Sequence, residues 1–186
     1  MADTPAEPRT IEGDLDATGM KFAIVAARFN DYVVDRLITG ARETLERLGV
    51  PGGAVTVVRV PGSFEIPPMA RRLAHSGGFD AVICLGAVIR GATAHFEYVA
   101  GEAARGVAQV AFKADIPVIF GILTTDTVVQ AVDRAGAKAG NKGSEAAMAA
   151  VEMASLYRKM AGEAAPPARP RRPANRRTRR APGRRA

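Results

Sequence analysis

The stretch Ala81-Val82-Ile83-Cys84-Leu85-Gly86-Ala87-Val88-Ile89-Arg90-Gly91-Ala92-Thr93-Ala94-His95-Phe96-Glu97 decides how this chain is read. Its near-continuous apolar run, Ala81 to Val88, is the signature of a buried strand. The run empties into a turn of small residues, and a helix follows from about His95. Small residues let backbone N–H groups approach an anion, and a helix N-terminus favours negative charge. A histidine beside such a turn is suited to proton transfer. Phosphate binding next to a proton-transfer group is the functional expectation. The same letters also suit an ordinary strand-to-helix turn with an exposed histidine.

Outward from this unit the chain alternates. Residues 21–27 read as a first buried strand. From Asp31 to Leu48, Val34, Leu37, Ile38, Ala41, Leu45 and Leu48 recur at helical spacing, with Gly49 just beyond. Ala54 to Val60 is a valine-rich second strand. Pro67 and Pro68 suit the first turn of a second helix running to about His75, where a missing N–H costs nothing. The third helix is expected to end near Phe112, and Pro117 to Leu123 forms the fourth strand. A short helix over Thr127 to Arg134 and a longer one over Ser144 to Met160 complete the order. Strand–helix alternation of this kind predicts an α/β layer structure with a mainly parallel sheet. Four to five strands with helices on both faces suit a flavodoxin-like doubly wound sheet better than a barrel.

A chain of 186 residues can bury one proper core. Residues 13–160 are read as that α/β domain, 1–12 as a flexible N-terminus, and 161–186 as a Pro/Arg-rich basic tail. From Ala164 onward there are nine arginines and no acid, which exceeds the whole-chain charge of +7 by two, so the body is mildly acidic. With almost no bulky apolar residue, the tail cannot offset its ordering entropy and is expected to be disordered. The polar N-terminus and the lack of a membrane-length apolar run predict a cytoplasmic protein. The single cysteine, Cys84, reads as a buried core thiol.

In open parallel sheets, ligands bind beyond the carboxyl ends of the strands. Four segments fall there: Arg28-Phe29-Asn30, Pro61-Gly62-Ser63-Phe64-Glu65, the Gly91 to His95 loop, and Thr124-Thr125-Asp126, with Phe120 inside the fourth strand. A fifth, Arg134 to Gly143, links the last two helices and holds Arg134, Lys138, Asn141 and Lys142 among glycines. Each has a bland reading. Phe29 could be a core edge, and Glu65 and Arg134 could simply complement helix dipoles. His75, beside Arg71 and Arg72, reads as a surface histidine. There is no dinucleotide glycine fingerprint, no phosphate-binding Walker loop and no nucleophile elbow. Two distant histidines and one cysteine do not make a transition-metal site. An aromatic platform, a carboxylate, an anion cradle and one histidine suit the joining of a flat polar ring to a small phosphorylated partner.

With these segments in order, the chain closely resembles the lumazine synthase family. The resemblance is carried by Ala27-Arg28-Phe29-Asn30, Val60 to Pro67, Leu85 to Val99, Pro117 to Thr125 and Arg134 to Gly143, and covers about residues 11–160. It implies condensation of 5-amino-6-ribitylaminouracil with 3,4-dihydroxy-2-butanone 4-phosphate, with no metal or organic cofactor. It implies that Phe29 stacks on the uracil ring beside Asn30. Ser63 and Phe64 would present backbone to the pyrimidine, and Glu65 would take ribityl hydroxyls. Ala87, Val88 and Ile89 would contact the ring edge. Ala92 and Thr93 would hold phosphate, and His95 would move protons. Family members place the site between subunits of a pentamer, in some cases within an icosahedral shell. Phe120, Arg134 and Lys142 would then come from the neighbour, Arg134 pairing with phosphate. Riboflavin synthase is an implied partner. Ser63 departs from the alanine of many members, at a contact made through backbone. Two other readings stay open: a non-catalytic phosphate- or flavin-binding module, and a shell-forming scaffold whose arginine tail binds polyanions.

Overall fold

The computed structural model describes residues 9–162. Strands β1 (Phe22–Ala27), β2 (Val55–Val60), β3 (Ala81–Ile89) and β4 (Val118–Thr125) form one four-stranded sheet in the order β2-β1-β3-β4. All three pairings are parallel, with Phe22 opposite both Val55 and Ala81, and Val82 opposite Val118. Helices α1 (Asp31–Arg47), α2 (Ile66–Ala74), α3 (His95–Lys113), α4 (Val128–Arg134) and α5 (Lys142–Met160) complete the chain. The sheet is therefore the expected flavodoxin-like α/β arrangement, with four strands.

Alternation along the strands builds two cores. Phe22, Ile24 and Ala26 of β1, with Ile83, Leu85 and Ala87 of β3, face α1 and α5. Ala23, Val25 and Ala27, with Val82, Cys84 and Val88, face α2 and α3. β1 and β3 are central and covered on both sides, which is why their sequences are continuous apolar runs. β2 is an edge strand and leaves most of its residues partly exposed. Burial pushes the Cys84 thiol up to about 12, so it behaves as a small hydrophobe.

Several element ends shift from the sequence expectation. β4 runs through Thr124 and Thr125, because these pair with Val88 and Ile89. Strand four thus includes two residues expected to follow it. Helix α5 begins at Lys142, since the Asn141 side chain accepts from the backbone N–H groups of Gly143 and Ser144 at 2.8 and 3.2 Å. Lys142 is thereby helical and not part of a loop. Pro67 sits within the first turn of α2 as expected. Residues 9–12 have no regular structure, although the Glu12 carbonyl accepts from Lys159 Nζ at 2.7 Å. The rest of the expected flexible N-terminus, residues 1–8, and nearly all of the basic tail, residues 163–186, lie outside the described residues.

Candidate active site

The carboxyl ends of β1, β2 and β3 open into a cleft of about 650 Å³. Its walls are built by three connections. After β1, the Arg28 and Phe29 N–H groups donate to the Val60 and Pro61 carbonyls at 2.8 and 3.1 Å. This carries β1–β2 pairing past the strand ends and sets Phe29 beside Pro61, with the residue 72% exposed. Asn30 then turns the chain into α1. It is the one non-glycine residue with positive φ (61°) among the described residues, a conformation that asparagine tolerates. Its Nδ2 donates to the Ala87 carbonyl at 2.9 Å, tying the end of β1 to β3. Asn30 thus lines the cleft while its amide N–H is engaged inside the subunit.

After β2, the tight turn Ser63–Glu65 leads into α2. Ser63 is 5% exposed and packs on Gly86, where a Cβ would stand 2.7 Å from its Oγ. Gly86 therefore lets the turn close onto β3. Burial of Ser63 turns Phe64 outward, 55% exposed, along the cleft wall. Glu65 Oε2 accepts from the Gly62 N–H at 2.9 Å, which fixes the carboxylate at the start of α2.

After β3, Gly91 to Ala94 forms the expected small-residue loop, and α3 starts at His95 with no side-chain cap. Gly91, Thr93 and His95 line the cleft, as do Ala87, Val88 and Ile89; Ala92, between Gly91 and Thr93, does not. His95 is exposed. Arg90 closes off the loop: its Nε donates to Asp126 Oδ1 at 2.7 Å and its Nη1 to Glu97 Oε1 at 2.5 Å. Those two hydrogen bonds, Glu97 first, hold the guanidinium pKa above its ordinary value.

Phe120, Arg134 and Lys142 are gathered elsewhere. They line a separate recess of about 480 Å³ between the open edge of β4 and α5, which shares no residue with the cleft. There Arg134 Nη1 donates to the Gln130 carbonyl at 3.1 Å, and Lys142 Nζ to Glu145 Oε2 at 2.5 Å. Within one subunit the predicted site residues thus form two groups.

The sequence reading missed Phe96, Tyr98 and Val99 on the cleft wall. Tyr98 and Val99 follow His95 by three and four positions, so helical spacing puts all three on one face of α3. That spacing was the available signal. His75 is exposed at the end of α2, as expected. Among the described residues no three His, Cys, Asp or Glu side chains converge as a metal site would need. No described helix is long and apolar enough to cross a membrane.

Comparison with known proteins agrees with this geometry. The family model of 6,7-dimethyl-8-ribityllumazine synthase matches residues 19–158, which include every cleft-lining residue. Two strains of Nitratidesulfovibrio vulgaris have enzymes of that name 58% identical to this chain over 144 residues, covering 77% of it and 92% of the relative. A relative of the same name from Desulfatibacillum aliphaticivorans is 57% identical over 149 residues, covering 80% and 96%. A match of this extent, over a parallel sheet whose strand ends carry an aromatic platform, a carboxylate, a small-residue loop and a histidine, means that the chain belongs to the 6,7-dimethyl-8-ribityllumazine synthase family.

Proposed function

We propose that this chain is a transferase of riboflavin biosynthesis that condenses 5-amino-6-ribitylaminouracil with 3,4-dihydroxy-2-butanone 4-phosphate. The observation that carries this reading is the convergence of Phe29, Ser63, Phe64, Glu65, Thr93 and His95 on one cleft, in a chain of this family. The exposed Phe29 ring offers a stacking face for the uracil, a contact worth on the order of 1 kcal/mol beyond burial. Ser63 and Phe64 offer backbone to the pyrimidine, and Ala87, Val88 and Ile89 bound its edge. With Oε2 of Glu65 held by Gly62, Oε1 accepts from ribityl hydroxyls. Thr93, with the adjacent Ala92 backbone, receives the phosphate.

The chemistry follows from what these groups hold together. The 5-amino nitrogen attacks the ketone carbon, a C=N bond forms and water leaves. A proton is then lost from the neighbouring carbon, the C–O bond to phosphate breaks, and inorganic phosphate departs. Tautomerisation yields a second carbonyl, which the ribitylamino nitrogen attacks to close the ring with loss of a second water. His95 carries protons at the imine and elimination steps. Much of the acceleration comes from positioning two reactants, which can supply up to about 7–11 kcal/mol in ideal cases.

The second recess supports a shared site. Phe120, Arg134 and Lys142, on the edge of a neighbouring copy, complete the cleft, with Arg134 meeting the phosphate as a charge-assisted partner. A ring of five copies repeats this heterologous contact and closes it. The short connection from Ala135 to Asn141, closed by a bridge between those two residues, leaves pentamers free to approach and build a shell. Riboflavin synthase, which consumes the product, is a fitting partner. The unpaired buried thiol of Cys84 suits a reducing cytoplasm. The nine tail arginines give a polyanion-binding extension; salt-sensitive retention on immobilised RNA, lost on removing residues 164–186, is the expected behaviour.

The test of the function is direct. Purified protein mixed with both substrates should generate the lumazine chromophore far faster than buffer. Equal rates would leave a non-catalytic binding module as the reading.

A further inference from the structure

The loop Gly91–Ala94, whose Ala94 carbonyl accepts from the Glu97 N–H at 3.0 Å, must present Thr93 and His95 in a fixed relation to the strand ends. Its two ends are joined through one side chain. Arg90 leaves β3 with its backbone N–H donated to the Thr125 carbonyl at 2.9 Å. Its guanidinium reaches forward across the loop to Glu97, in the first turn of α3, and sideways to Asp126 beyond β4. The same guanidinium lies over the Phe96 ring, 4.2 Å from its centroid, and Phe96 lines the cleft. One planar fork thus sets the separation between the end of β3, the start of α3 and the end of β4. An isolated exposed ion pair adds little stability. A fork held by two carboxylates and stacked on a ring instead restricts geometry, a task that lysine cannot perform. Arg90 does not line the cleft, and both of its carboxylate contacts turn it from an incoming phosphate.

We infer that Arg90 is a positioning residue: clamped by Glu97 and Asp126 and stacked on Phe96, it pre-shapes the Gly91–Ala94 loop for the phosphate of the butanone substrate. This rests on the catalytic reading above for the identity of the phosphorylated ligand. The clamp itself rests on the contacts. Its signature is selective, because the groups that hold the pyrimidine are anchored through Pro61, Gly62 and Ala87.

The experiment compares wild type, Arg90→Ala, Arg90→Lys and Glu97→Gln in full-length protein. Each is assayed by steady-state kinetics for both substrates and by calorimetric titration with inorganic phosphate. The Michaelis constant for the butanone phosphate should rise several-fold to about tenfold in Arg90→Ala, below the ~100-fold that a 1 Å misplacement can cost. That for the pyrimidine should stay within about twofold, and phosphate affinity should fall in parallel. Arg90→Lys should not restore either, and Glu97→Gln should show a smaller shift of the same selectivity. Unchanged constants, an equal rise for both substrates, or rescue by lysine would each overturn the proposal. Should Arg90→Ala fail to fold, Glu97→Gln and Asp126→Asn, which keep side-chain size, carry the same comparison. If wild type forms no lumazine, the catalytic reading fails on its own; the phosphate titration still decides the clamp.

Discussion

His95 opens α3 at the mouth of the cleft with its ring exposed, so removing the imidazole takes away a proton carrier and leaves both cores intact. His95→Ala should slow turnover by ~10²-fold, the lower end of what a positioned acid–base group supplies, because positioning carries much of the rate. Melting temperature and affinity for a pyrimidine analogue should be unchanged. Turnover equal to wild type would remove His95 from the mechanism. Glu65 differs in kind. Its carboxylate is tied to the Gly62 backbone and fixes the turn as well as offering a free oxygen, so its substitution would confound folding with binding. Asn30 is similar: its left-handed backbone and its bond to Ala87 make it a joint between β1 and β3.

At the level of elements, α1 packs directly against α5. Gly143 sits where any Cβ would meet the Leu37 carbonyl oxygen at 2.0 Å, so only glycine lets the two helices approach this closely. Asn141 organises the same crossing. Its Oδ1 caps α5, while its Nδ2 donates to the Arg36 and Ala135 carbonyls at 2.9 and 3.2 Å. One side chain therefore connects α1, the end of α4 and the start of α5, and through them sets the position of Arg134 and Lys142. Asn141→Ala should cost about 2 kcal/mol in urea unfolding, the upper end of cap substitutions, since the amide also loses its two carbonyl partners. Asn141→Asp keeps the cap acceptor and should recover roughly half of that loss. A cost indistinguishable from zero for the alanine variant would mean that water replaces all of these bonds.

On the scale of the whole molecule, the cleft and the β4-edge recess are separate and share no lining residue. If a neighbour supplies the second half of the site, two crippled variants should rescue each other. Co-expressed His95→Ala and Arg134→Ala subunits in equal amounts should assemble at random. About a quarter of the sites would then pair an intact cleft with an intact edge, as expected for a heterologous contact. Activity should rise toward a quarter of wild type, well above either variant alone. A mixture no better than the mean of its parents would show that both residues act within one subunit. The tail bears on assembly too. If copies of the chain assemble, nine positive charges per copy would repel one another within the ~10 Å screening length of moderate salt unless a polyanion neutralised them.

Alternation of strands and helices was readable from local pattern, because a 3.6-residue period and a continuous apolar run each report on the few residues that make them. The same holds for the turn chemistry: the glycines and small residues of the Gly91–Ala94 loop, the prolines opening α2, and the cleft residues Phe29, Ser63, Phe64, Glu65, Thr93 and His95 stand at strand ends that the pattern already marks. Contacts between distant segments were not readable. Thr124 and Thr125 are strand residues because Val88 and Ile89 pair with them. Tyr98 joins the cleft wall only once α3 is oriented by its packing. The order β2-β1-β3-β4, the burial of Ser63 against Gly86 and the Arg90–Asp126 ion pair bring together residues tens of positions apart. So does the division of the site residues between a cleft and a separate edge. Those arrangements follow from two helical layers closing on one sheet, a cooperative packing in which no short window of sequence holds both partners of a contact.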